Sequence, residues 1–261
     1  MIDVAMRLLS FCNQLVITTR RVRLEFADGD DGIIGYLSRM GFFDHLATEV
    51  TVKPTRPAIS GAHIYRGANR GLVEIESFNS SVAADPALVP RLADTVKRSC
   101  AARTEVEEIS KAIFTIFGEL VDNVFDHSKS HGNAFAAAQT YPKGDRLCVA
   151  VSDSGVGIMD SLRPGLQAKG SNLTTLGDVE LLVEIFREGL SRLDDPKRGL
   201  GLRESARTAM RFKADLDVRL PRQRVLLKPA DGQYRVQNTA YAQDQLPLLW
   251  GTHIAFSLKL S

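Results

Sequence analysis

Cysteine is scarce and scattered, with Cys12, Cys100 and Cys148 the only three in 261 residues. An odd number at such spacing offers neither a disulfide framework nor the paired ligands of a zinc site, so the chain reads as a cytoplasmic protein with reduced thiols. Long apolar runs are missing too. No stretch approaches the roughly 18 apolar residues that span a bilayer, and residues 1–20 lack the charged start, apolar middle and small-residue cleavage site of a signal peptide. There is no excess of one charge: 33 Lys and Arg against 31 Asp and Glu leave a formal +2. That balance argues against the concentrated basic surface of a nucleic-acid or membrane-surface binder. The short cluster of Arg20, Arg21 and Arg23 reads as a solvated strand edge or turn. Hydrophobic residues make up 44% of the chain, enough for the core of one large domain or two small ones.

What is present centres on Glu119-Leu-Val-Asp-Asn-Val-Phe-Asp-His-Ser128. A helix turns about 100° per residue, so Glu119, Asn123 and His127 drift only ~40° per step and share one polar stripe. Ile113, Ile116, Phe117, Leu120, Val121 and Val124 form the apolar face beside it. A solvated helix face looks much the same, so the segment alone decides nothing. Chemically, however, a carboxylate there can take a proton from water, and the Asn123 amide oxygen can coordinate Mg²⁺, an ion that keeps oxygen ligands and several waters.

Three further segments point the same way. Asp153-Ser-Gly-Val-Gly-Ile158 follows the alternating strand Arg146–Ser152. An ionised carboxylate accepts but cannot donate, which favours an amino group opposite Asp153, and Gly155 and Gly157 remove side chains where backbone must pass close to a flat ring. In Pro196-Lys-Arg-Gly-Leu-Gly-Leu-Arg-Glu-Ser205, the Gly199-Leu200-Gly201 turn opens a helix with Leu202, Ala206, Ala209 and Met210 on one face. Free N–H groups and the helix dipole make such a start an anion site, with Lys197 and Arg198 adding charge. Gly251-Thr252 begins the last strand.

In this order the four segments resemble the N, G1, G2 and final Gly-Thr boxes of the GHKL ATPase superfamily, which includes DNA gyrase, mismatch-repair ATPases, heat-shock chaperones, histidine kinases and anti-sigma-factor kinases. The resemblance covers residues 102–261. It implies an α+β fold, the two-layer Bergerat sandwich, with a mixed, mainly antiparallel sheet and helices on one face, occupying residues 86–261 behind a small α/β region at 1–85. It implies ATP and Mg²⁺ as ligands, Asp153 accepting the adenine amino hydrogens, Thr252 supporting Asp153, and a lid at about 159–198. His127 stands where some members carry an acidic residue. Three uses of ATP remain open: hydrolysis driving a conformational or partner-binding cycle with Glu119 as general base, phosphoryl transfer to a partner's serine or threonine, or nucleotide sensing with negligible turnover. A protein partner of unidentified kind is expected, and a homodimer is compatible with the resemblance.

Within the N-terminal region, Leu15–Ile17, Val22–Phe26, Glu49–Lys53, His63–Tyr65 and Leu72–Phe78 read as strands and Ile33–Leu46 as a helix. Gly35–Asp44 resembles a stretch found beside STAS-like regions ahead of such ATP modules, and no function is carried over from it. Phe42 and Phe43 read as core. A helix from Pro86 to about Ala102 precedes the Glu119 helix. In the lid, Pro164–Asn172 reads as a loop and Val179–Glu188 as a packed helix ending near Gly189. The remainder reads as strands at 216–220, 225–227, 234–236 and 253–258, with Pro229–Gly232 as a turn.

Overall fold

From Leu147 to Val151 large and small apolar residues alternate, and both parities are buried, the pattern of a strand covered on its two faces. The computed structural model describes residues 1–27, 32–65, 71–79, 86–101, 103–127, 133–141, 145–189, 200–239 and 246–260. The elements, in chain order, are helix α1 (Ile2–Ile17), strand β1 (Arg23–Glu25), helices α2 (Ile33–Arg39) and α3 (Phe42–His45), strand β2 (Thr51–Lys53), helix α4 (Gly61–Tyr65) and strand β3 (Leu72–Phe78). Helices α5 (Leu88–Ser99) and α6 (Val106–His127), strands β4 (Ala134–Tyr141) and β5 (Arg146–Asp153), and helices α7 (Ile158–Ala168), α8 (Asp178–Glu188) and α9 (Leu200–Arg211) follow. Strands β6 (Asp215–Arg219), β7 (Arg224–Ala230), β8 (Gln233–Thr239) and β9 (Thr252–Lys259) complete the described chain.

Seven strands form one sheet in the order β3-β4-β5-β9-β6-β7-β8, and every pairing in it is antiparallel. β1 and β2 form a separate parallel pair. The architecture is the α+β arrangement expected of a Bergerat-type fold. Among the described residues no helix is long and apolar enough to cross a membrane.

Strand parity divides the core in two. Leu147, Val149 and Val151 of β5, with Ile254, Phe256 and Leu258 of β9, face the layer that contains α5 to α9. Along α6 the large buried residues are Ile109, Ile113, Ile116, Phe117, Leu120, Val121 and Val124, with Ala112 between them. At about 1.5–3 kcal/mol per side chain their burial contributes on the order of 10–20 kcal/mol gross, which is what holds a 22-residue helix to the sheet. The opposite parity is small: Ala137, Cys148, Ala150 and Ala255 lie with Phe135 against Ile2, Met6, Leu9 and Cys12 of α1 and Phe42 of α3. Short side chains let α1 approach closely. Burial pushes the Cys12 and Cys148 thiols up to about 11, so both stay protonated and unreactive near neutral pH.

The N-terminal elements differ from the sequence reading in three places. Leu15–Ile17, read as a strand, is the last turn of α1, because the repeat of Ile2, Met6, Leu9 and Cys12 buries a helical stripe that outweighs the β preference of Val16 and Ile17. His63–Tyr65 belongs to helix α4, whose start is capped by Ser60 Oγ accepting from His63 N–H at 3.0 Å. The single helix expected over Ile33–Leu46 breaks at Gly41 (φ 83°) into α2 and α3. Phe42 and Phe43 are buried edge to face, 5.3 Å between centroids. β3, from within the same region, is an edge strand of the main sheet through β4.

Two further differences concern prolines. Pro164 lies inside α7 rather than in a loop. Met159, Leu162 and Leu166 bury one face of that helix while Pro164 stays exposed, and Arg163 fastens the following turn by donating to the carbonyls of Thr174 and Leu176 at 3.0 Å and to Asp178 Oδ1 at 2.6 Å. Pro229 lies in β7, beyond Leu227, where pairing with β6 ends, so its missing N–H costs no ladder bond. The two-residue turn that follows, Asp231-Gly232, has positive φ at both positions (51° and 73°), the geometry that suits strand twist in a hairpin.

Candidate functional site

The central strands β5 and β9 run side by side so that Asp153 pairs with Thr252. Both side chains are buried. Asp153 Oδ1 accepts from Gly155 N–H at 2.9 Å, which fixes the carboxylate at the strand end. Thr252 Oγ1 accepts from Ile158 N–H at 2.8 Å, and so satisfies a donor at the first turn of α7. The Thr252 hydroxyl thus holds the loop that leaves Asp153, and the ladder holds the two residues side by side.

Glycine is required at 251 by contact and favoured at 157 by backbone conformation. Gly251 has φ 81°, and a Cβ on it would lie 1.8 Å from the Asp153 carbonyl oxygen and 2.9 Å from Gly155 N. Gly157, at φ 85°, would bring a Cβ to 3.3 Å from the Gly251 carbonyl oxygen. The two backbones thus nest where β5 and β9 open into the loop. Above them lies a cleft of about 430 Å³, counting its open mouth, lined by Leu120, Asn123 and Val124 of α6, Val151 and Asp153 of β5, Gly157 and Ile158, Leu202 of α9, and Thr252 and Ile254 of β9. Apolar walls with a buried carboxylate suit a flat heterocycle bearing an amino group.

The polar stripe of α6 meets the start of α9. A Cβ on Gly201 would fall 1.9 Å from Glu119 Oε2 and 2.8 Å from its Cδ, so the absence of a side chain at 201 is what makes room for the carboxylate. Glu119 is half-buried, and burial, then the charges of Asp122 and Glu204, raise its pKa above the ordinary carboxylate value. Asn123 Nδ2 donates to the Glu119 carbonyl at 2.5 Å. A carbonyl can only accept, so the amide nitrogen is committed there and the amide oxygen is the atom left for a hard cation.

Of the residues singled out in the sequence, Asn123, Asp153, Gly157 and Thr252 line one cleft, with Gly155 bonded to Asp153 and Glu119 against Gly201. Leu200 is the first residue of α9 and His127 the last of α6, with the side chains of both outside the described residues, as are Lys197, Arg198 and Gly199 altogether. Sequence reasoning passed over the cleft's apolar walls. Leu120, Val124, Val151 and Ile254 sit at spacings that mark only core, and nothing local distinguishes a core residue from one facing a cavity.

Residues 108–260 match the family described as "Histidine kinase-, DNA gyrase B-, and HSP90-like ATPase". No curated protein matches the chain. The matched segment spans α6 to β9 and contains Glu119, Asn123, Asp153, Gly201, Gly251 and Thr252, the residues just described around the cleft. With more than half its length in that match, the chain belongs to the histidine kinase-, DNA gyrase B- and HSP90-like ATPase family.

Proposed function

We propose that the protein hydrolyses ATP in a Mg²⁺-dependent reaction and uses the cycle of nucleotide states to change its conformation or its hold on a partner protein. The contact of Glu119 with the side-chain-free start of α9, beside the cleft that Asp153 lines, carries this reading. Adenine enters the apolar slot with its amino group on Asp153. The N–H groups opening α9 face the phosphate end, as helix starts do for anions. Glu119, its basicity increased by burial and by its acidic neighbours, takes a proton from the attacking water. Asn123 would hold Mg²⁺ through its amide oxygen, and the ion supplies neutralisation of phosphate charge. Lys197, Arg198, the Gly199-Leu200-Gly201 turn and His127 complete the phosphate and metal end on the strength of the sequence pattern.

Incubation with γ-labelled ATP and Mg²⁺, with and without cell extract, tests the proposal. Free labelled phosphate in the absence of extract supports hydrolysis. Label carried by another protein replaces it with a kinase, and neither product replaces it with a sensor.

Adenine recognition is testable by itself. In Asp153→Asn the amide oxygen keeps the bond from Gly155 N–H, while the second carboxylate oxygen becomes an NH₂ donor facing the adenine amino group. Losing a hydrogen bond to a charged acceptor predicts roughly 10- to 100-fold weaker ATP binding, measured by calorimetry. Undiminished affinity would remove Asp153 from the adenine site.

A further inference from the structure

Residues 247–250 run into Gly251 and Thr252 without belonging to a strand, so their backbone groups have no ladder to satisfy them. Their partners come from elsewhere. Arg219 Nη2 donates to the Pro247 carbonyl at 2.5 Å, Leu249 N–H donates to the Pro221 carbonyl at 3.0 Å, and His253 Nε2 lies 3.0 Å from the Trp250 carbonyl. The Leu248 carbonyl and the Trp250 N–H are served together by one side chain. Gln14 of α1 donates from Nε2 to Leu248 O at 2.9 Å and accepts at Oε1 from Trp250 N–H at 2.7 Å.

Gln14 is 6% exposed, and its amide addresses alternate residues as a neighbouring strand would. Its own base is fixed, since Arg7 on the same helix bonds Asp217 of β6 through Oδ1 at 3.0 Å and through the carbonyl at 3.3 Å. The residue after Trp250 is Gly251, packed so tightly on the Asp153 backbone that no Cβ fits, and after it comes Thr252, which ties down the start of α7. A displacement at 248–250 therefore reaches the carboxylate side of the cleft within two residues.

We infer that Gln14 is a positioning residue for the purine end of the cleft, through which the N-terminal helix sets the affinity of an ATP site built by the other end of the chain. This rests on the reading of the cleft as that site. Because Gln14 acts on the strand junction and not on the start of α9, its loss should weaken adenosine and ATP by the same factor.

The test uses the full chain and its single tryptophan, Trp250, as an intrinsic reporter. Gln14→Leu is expected to increase acrylamide quenching of Trp250 and to raise the dissociation constants of ATP and adenosine equally, by about tenfold for two lost hydrogen bonds. Leu9→Ala, a packing change in the same helix, should lower the melting temperature at least as far while leaving both constants unchanged. Gln14→Glu, nearly isosteric, keeps the acceptor for Trp250 N–H and loses the donor for Leu248. It should fall between the other two, and it carries the test alone if Gln14→Leu does not fold. Wild-type affinities in both Gln14 variants, or an equal loss in Leu9→Ala, would overturn the inference and leave the ATP reading standing. A wild-type protein that binds neither ligand overturns both.

Discussion

Replacing Glu119 by Gln should leave ATP bound and reduce its hydrolysis by about 10²- to 10⁴-fold, the contribution typical of a positioned general base. The amide has nearly the same size, so it fits the space that Gly201 leaves open, but it cannot take up a proton. Phosphate release and calorimetric ATP binding, measured on the same preparation, check the two halves, and comparable losses in both would assign Glu119 to binding instead. The pH dependence has a definite sign. Burial, then Asp122 and Glu204, raise the Glu119 pKa, so the wild-type rate should fall on acidification at a pH above the ordinary carboxylate range, while the residual rate of the variant lacks that limb. Stability moves oppositely. A carboxyl whose folded pKa is raised stabilises the fold below its unfolded pKa, and that increment is lost as pH rises through the folded value. At neutral pH the native residue therefore costs stability, and Glu119→Gln should melt slightly higher, the gain kept small because solvent screens a half-exposed group. The gain should vanish in acid.

Gly251→Ala should abolish the site by a different route. Its φ of 81° disfavours any side chain, and the added Cβ would lie 1.8 Å from the Asp153 carbonyl oxygen, a backbone atom held in the ladder between β5 and β9. Neither strand can retreat without breaking pairs at the centre of the sheet. The expected result is a destabilisation on the order of 2–4 kcal/mol and an ATP affinity at least about 100-fold weaker, read from a denaturant midpoint and from calorimetry. Gly232→Ala is the matched control. Its φ is similarly positive at 73°, yet nothing lies within 4 Å of the added atom, so it should lose only about 1–2 kcal/mol from conformation and keep its nucleotide affinity. Equal behaviour of the two variants would show that conformation, not the contact with Asp153, governs position 251.

Much of this was legible before any coordinates. Helix α6 carries eight buried apolar residues at helical spacing, which declared its type and its buried face, and the alternation of large and small apolar residues in β5 declared a strand. Gly189 and the Asp231-Gly232 pair marked chain reversals through the left-handed backbone that those residues tolerate. What failed locally was overruled by distant packing. Val16 and Ile17 favour strands, but the stripe of α1 buries against a sheet face contributed by β4, β5 and β9. Pro164 signals a break, but Met159, Leu162 and Leu166 hold α7 together around it. At the site, the residue types could be read and the contacts could not. The register that sets Asp153 beside Thr252, the closeness of Gly201 to Glu119 and the grip of Gln14 on residues 248 and 250 each join segments that no local signal connects.

The smallness of the residues along one side of the central strands has a practical consequence. Ala137, Cys148, Ala150 and Ala255 can be dry only while α1 lies over them, since none is bulky enough to shield its neighbours or polar enough to welcome water. Cutting the chain at Pro86, in the hope of isolating the part that matches the ATPase family, would strip away that cover and the border strand β3 together. It would leave a flat, greasy plane beside the unmatched backbone of β4, a surface inviting aggregation.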